Sequence, residues 1–158
     1  VTTTHGRSVW YPAAASDGKR ISFYNDENTY VDTEGRIEPL PPAPDGLHPA
    51  LTAWSPDGTM LAGELRDSPG LAVYSFKDRQ YHRLTHGGAH PAWLPGGREI
   101  LYSDNGRPRL VDVATRAIRD VTTTLPIGSM SLSADGRTLV FSDRRTAADV
   151  WMMETKTP

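Results

Sequence analysis

The side chains best placed to do chemistry in this 158-residue sequence are its five histidines. His5, His48, His86 and His90 fall in polar connecting stretches, and only His82 falls in a strand-like segment. Imidazole titrates near neutral pH and is a common metal ligand, so histidines gathered at one face could bind a metal or sense pH. The spacing argues against a metal. His86 and His90 are separated by Gly87-Gly88-Ala89, a loop, and no His-Glu-x-x-His pattern is present. We therefore expect neither metal nor cofactor. With Trp10, an aromatic able to serve as a platform, His5, His48, His86 and His90 mark an expected ligand or partner face.

The carboxylates read as structure. Asp17, Asp57 and Asp135 each precede a glycine, in Asp17-Gly18, Asp57-Gly58 and Asp135-Gly136. Asp bonds its own backbone two residues on and Gly accepts positive φ, which is turn chemistry. A catalytic group would not recur in this way. Asp32 and Asp112 hold matching positions and are expected to cap hairpin ends. Nucleophile motifs are missing: the sequence has no Gly-x-Ser-x-Gly elbow, no phosphate loop and no dinucleotide fingerprint. Gly128-Ser129-Met130-Ser131 approaches the elbow but leads into a strand. With no cysteine either, thiol chemistry and disulfides are excluded. We expect no catalytic residue, and a chain that is not an enzyme.

The elements that must position these residues come from a repeat. Ala13–Phe23, Thr52–Ala62, Ala92–Tyr102 and Ser131–Phe141 share one pattern, a short strand, a tight turn and a second strand. The turn in the third copy is Pro95-Gly96-Gly97. Gly18, Gly58, Gly97 and Gly136 recur at about 40 residues, the period of a propeller blade. After each turn Ile21, Leu61, Ile100 and Leu139 are expected at equivalent buried positions. The residues following them, Ser22, Ala62, Leu101 and Val140, suit a second covered face. Third strands are expected at Thr29–Thr33, Leu71–Phe76, Arg109–Val113 and Asp149–Met153. Fourth strands are expected at Arg36–Leu40, Gln80–Thr85 and Ala117–Thr122. The prediction is an all-β propeller of four four-stranded blades of about 39–40 residues, at roughly 5–46, 47–86, 87–124 and 125–158. Inner strands are expected near Ala13–Ala15, Thr52–Trp54, Pro91–Trp93 and Met130–Leu132, and helix content should be near zero. Connections from outer to inner strands share one end of such a fold, around the mouth of its channel, which is where the four loop histidines belong.

Two residues carry the expected packing between blades, Trp54 and Trp93, with Trp151 in a similar role in the last blade. The first blade has Ala14 at that place, so its tryptophan is expected to be shifted to Trp10. Pro39, Pro41, Pro42 and Pro44 end the first outer strand and give an exposed, polyproline-like loop over Pro41–His48.

Ala53-Trp54-Ser55-Pro56-Asp57-Gly58, Leu84-Thr85 with Pro91-Ala92-Trp93-Leu94-Pro95-Gly96-Gly97, and Ala148-Asp149-Val150-Trp151-Met152-Met153 resemble the TolB-like (WD40-like) β-propeller repeat. The resemblance covers nearly the whole chain. It implies a non-catalytic binding module that presents loops around a channel to a protein or peptide, including the sensor regions of bacterial membrane-anchored kinases. It also implies a periplasmic or extracytoplasmic setting. The alternative it leaves open is the propeller of a prolyl-oligopeptidase-like serine hydrolase, or a hydrolase with its site in the channel.

Composition sets outer limits. A formal net charge of −2 with interspersed signs lacks the basic face that nucleic acid requires. No apolar run is long enough to span a membrane, so no membrane insertion is expected. Val1–Thr4 repeats Val121–Thr124, and Glu154–Pro158 is too short for a fourth strand. On that basis the chain is expected to be the C-terminal part of a larger propeller, an open arc able to self-associate through its end sheets.

Overall fold

Period-two alternation and Asp-Gly turns fold this sequence into successive antiparallel hairpins. The computed structural model describes residues 9–25, 29–33, 35–123, 127–133 and 135–142. The first sheet is β1 (Trp10–Ala14), β2 (Arg20–Tyr24), β3 (Thr29–Thr33) and β4 (Arg36–Pro39), paired in that order. The second is β5 (Pro49–Trp54), β6 (Met60–Leu65), β7 (Leu71–Ser75) and β8 (Gln80–Arg83). The third is β9 (Ala89–Trp93), β10 (Glu99–Asp104), β11 (Arg107–Asp112) and β12 (Ile118–Asp120). A fourth, two-stranded sheet pairs β13 (Met130–Leu132) with β14 (Leu139–Phe141). No helix occurs among the described residues. His5, Trp151 and the strand expected at Asp149–Met153 lie outside them, as do Val1–Thr4.

The repeat is reproduced residue for residue in the turns. Gly18, Gly58, Gly97 and Gly136 adopt φ of 67°, 67°, 67° and 70°, which a side chain would strain. Each donates its N–H to the carbonyl three residues back, on Ala15, Ser55, Leu94 and Ser133. Asp57 Oδ1 accepts from Thr59 N at 3.0 Å, and Asp135 Oδ1 from Arg137 N at 3.0 Å. The turns also stack on one another. A Cβ on Gly136 would meet the Pro95 ring at 2.7 Å, and one on Gly97 would touch Pro56 at 3.8 Å.

Two apolar cores lie between sheets. One joins Ala15, Val31 and Leu40 of the first blade to Leu51, Trp54, Leu61 and Tyr74 of the second. The other joins Ala62, Leu71, Val73 and Leu84 to Trp93, Ile100, Tyr102 and Val111. Neighbouring residues of β6, Leu61 and Ala62, thus enter opposite cores, and both are fully buried. The second sheet is thus a wall shared by two cores, as a stack of blades requires.

The expected burial of four equivalent side chains needs correction. Ile21, Leu61, Ile100 and Leu139 hold the same register, opposite Ala14, Trp54, Trp93 and Leu132. Leu61 and Ile100 are 0% exposed, but Ile21 is 45% exposed and Leu139 is half-buried. The reason lies in the neighbours. Leu61 is covered by the first blade and Ile100 by the second, whereas Ile21 lies on the face of the first sheet opposite its core. The described part of the fourth sheet has only two strands, which cover Leu139 in part.

Trp10 also departs from expectation. It pairs with Tyr24, not with Ile21, and is 49% exposed, so it does not substitute for the packing tryptophan that Ala14 lacks. Trp54 and Trp93 do pack between blades. Trp54 Nε1 donates to Ala13 O at 3.1 Å and Trp93 Nε1 to Ala53 O at 3.0 Å, one blade to the previous one each time.

Candidate functional site

The inner strands β1, β5, β9 and β13 share one cavity of about 750 Å³. Its wall is made of small side chains, among them Ala13, Ala50, Thr52, Ala53, Ala92 and Ser131. Small residues here follow from geometry, since four strands converge on one axis. The turn end of this channel carries Ser16, Pro56, Pro95 and Ser133, and the opposite end carries Tyr11, Glu64, Arg66 and His90.

Local backbone explains how that second rim is presented. The pairing of the first three inner strands slips once in each, between Trp10 and Ala13, Leu51 and Ala53, and at the matching place in β9. The extra residues include Pro12 and Pro91, which have no N–H to lose from a ladder. Tyr11 and His90 stand at equivalent places in these bulges and take left-handed φ values of 53° and 57°. Such conformations cost about 1–3 kcal/mol in a bulky residue and persist where the surroundings fix them. In the second blade the equivalent residue is Leu51, fully buried with ordinary φ. Gly63 is required beside it: a Cβ there would overlap the Ala50 carbonyl oxygen, at 2.0 Å.

Glu64 supplies the fixing partner for His90. Its Oε1 accepts the His90 backbone N–H at 2.7 Å and stands 3.1 Å from His90 Nδ1. That leaves Nε2 as the free ring nitrogen. Arg66 is exposed, its guanidinium lies 5.8 Å from the Tyr24 ring centroid, and among the described residues no carboxylate pairs with it. The rim therefore offers a phenol, a carboxylate, a guanidinium and an imidazole.

The histidines expected at this end are held separately. His48 Nδ1 lies 3.7 Å from Asp67 Oδ2, with its ring 6.4 Å from that of Tyr24, next to the proline-rich loop. His86 Nδ1 lies 3.1 Å from Arg83 Nη1. His86 and His90 line one cleft between the second and third blades, and His48 lines a different hollow with Pro42, Pro44 and Tyr81. Among the described residues no group of three metal-ligating side chains forms. Trp10 is not among the residues lining the channel. Tyr11, Glu64 and Arg66 were not singled out by sequence reading. The signal for Tyr11 was present, since aligning the repeats places it with Leu51 and His90.

The recurrent aspartates are committed to their turns. Hydrogen bonds hold their carboxyls below the usual range, from the Ser55 hydroxyl at Asp57, the Ser133 hydroxyl at Asp135 and the Lys19 N–H at Asp17. Asp112 is held at about 2 by the Thr115 N–H and then by the Arg98 guanidinium at 2.5 Å. It caps its hairpin as expected, and so does Asp32, which accepts from Gly35 N at 2.9 Å.

No protein-family model matches this sequence, and no curated protein does. Solved structures do match. TolB from Acinetobacter baumannii superposes with a TM-score of 0.74 at 20% identity, over 90% of this chain and 39% of that one. A TolB-type protein from Agrobacterium tumefaciens gives 0.69 at 15% identity, over 87% of this chain and 54% of that one. The WD40 repeats of RRP9 give 0.60 at 15% identity, over 82% and 43% of the two chains. The chain thus spans about half or less of the propeller proteins it matches, and at these identities the likeness is one of fold. It has the TolB-like, WD40-like β-propeller fold, as its repeats led us to expect.

Proposed function

We propose that this chain is a non-catalytic binding module that receives a protein or peptide partner at the rim formed by Tyr11, Glu64, Arg66 and His90. The observation that carries the reading is the cavity of about 750 Å³ shared by all four inner strands, rimmed at one end by those four groups. Rigid strands hold the rim while loops surround it, the usual division of labour in a binding scaffold. Glu64 can accept from amides or cations, Arg66 can donate in a fork to a carboxylate or backbone carbonyl, and Tyr11 can stack. The likeness to TolB adds a periplasmic setting to the reading.

A peptide array probed with the purified chain tests this. Peptides that bind should bind at least about tenfold more weakly to Tyr11→Ala, Glu64→Gln and Arg66→Ala, a change of one charge-assisted contact. Binding should be unaltered in Arg98→Ala, whose side chain serves the far hairpin. Peptides that bind the rim variants as well as the parent chain would overturn the assignment of the rim.

A further inference from the structure

Arg83, at the end of β8, differs from three arginines of the third blade. Arg98, Arg109 and Arg119 each pair with a carboxylate, at 2.5–3.1 Å. Arg83 is half-buried, and among the described residues its partners are neutral: Nη2 donates to Ser68 Oγ at 2.6 Å and Nη1 stands 3.1 Å from His86 Nδ1. Its Nε is buried with no protein acceptor. A cation withdrawn from water without a counter-charge is costly, and an unpaired buried N–H adds to the cost.

The chemistry of the three side chains fixes their roles. Guanidinium has donors only, so His86 Nδ1 must be the acceptor in their contact, and the ring's proton sits on Nε2. Ser68 Oγ likewise accepts from Arg83, which leaves its own O–H to donate. The guanidinium and the Ser68 hydroxyl proton are therefore both donors beside one positive charge, while His86, its Nδ1 turned to Arg83 and its Nε2–H turned away, holds the guanidinium in place.

The frame that holds them is rigid. The 66–70 loop is pressed against the start of the β8–β9 connection. A Cβ on Gly70, at φ 132°, would meet Thr85 O at 2.4 Å and His86 Cα at 3.4 Å. Leu71 N donates to Thr85 Oγ1 at 2.9 Å, and Thr85 Oγ1 donates to Gly87 O at 2.7 Å. Ser68 and His86 are therefore carried by two loops locked to each other, with Arg83 between them.

We infer that Arg83 and Ser68, with His86 Nδ1 anchoring the guanidinium, form a binding site for a single oxyanion group, a carboxylate or a phosphate. A planar guanidinium with a flanking hydroxyl donor is an arrangement that recognises both. Arg83, Ser68 and His86 are not among the residues lining the channel.

Nitrogen-15 NMR of the purified chain reads the site through the Arg83 Nε–H signal. Phosphate and N-acetylaspartate are titrated separately, with chloride at matched ionic strength as the baseline. The expected result is a saturable shift of that signal with at least one oxyanion beyond the chloride baseline. The shift should be lost in Arg83→Gln, and apparent affinity should fall about tenfold in Ser68→Ala and His86→Ala. A response to phosphate alone identifies a phosphate site, and one to N-acetylaspartate alone a carboxylate site. Should Arg83→Gln disturb the fold, the other two variants carry the test. A signal that follows the chloride baseline, or an oxyanion response unchanged in both Ser68→Ala and His86→Ala, overturns the site.

Discussion

Leu61 and Ile21 occupy one place in successive repeats, yet the first is sealed between two sheets and the second is 45% exposed. Burial, and not residue type, sets the energy. Leu61→Ala should cost about 2–5 kcal/mol, the range for truncation in a packed core, and Ile21→Ala less than about 1 kcal/mol. Urea titration of the two variants checks the ranking, and equal losses would show that the inter-sheet core is not what holds the blade. Asp112 makes a second prediction at this scale. Its carboxyl is depressed from 3.8 to about 2, so it favours the folded state above 3.8 and loses that effect as pH falls towards 2. Acid titration of stability should therefore be shallower in Asp112→Asn than in the parent chain over that window. A parallel pair of curves would mean that the Thr115 and Arg98 bonds do not persist in solution.

At the scale of the element, the unit of cohesion is one blade fastened to the previous one. Trp93 reaches back to Ala53 O as Trp54 reaches back to Ala13 O. Trp54 carries an additional load: Phe76 stacks on it at 5.3 Å and Arg20 lies 4.7 Å over it. Trp93→Phe keeps much of the apolar area and removes the indole N–H, so it should cost about 1 kcal/mol, the net worth of one hydrogen bond to a half-buried carbonyl. Thermal or urea unfolding measures it, and a neutral variant would reduce the repeated bond to a by-product of packing. This cohesion was largely legible in the sequence, because Trp54 and Trp93 stand at fixed distances from Gly58 and Gly97. Strand ends were less so. β8 stops at Arg83 and not at Thr85, since the Leu71 N–H donates to the Thr85 hydroxyl and so does not complete the next rung of the ladder. Of the rim, only His90 was read from the sequence. Glu64 reads as the polar end of a strand until the fold carries it to His90, 26 residues on, and no local pattern announces the left-handed φ of Tyr11.

At the scale of the whole molecule, we propose that two exposed apolar faces among the described residues drive self-association of this chain. Ile21 and Ile37 lie on one face of the first sheet, joined in register through Asp32, and are 45% and 40% exposed. At the other end Val140 holds the place that Ala62 and Leu101 fill in earlier blades, and it is 66% exposed where they are buried. Each end therefore shows the kind of surface that, inside the chain, is covered by a neighbouring blade. The two faces are different, so copies that meet through them meet head to tail, and such contacts extend unless their rotation closes a ring. A net charge of −2 supplies little repulsion to oppose this. Light scattering on the purified chain should give a mass above 17.3 kDa that rises with concentration, and Ile21→Glu should lower it towards that value. A monomer at every concentration would show that the end faces, apolar as they are, bind too weakly to stand in for a neighbouring blade.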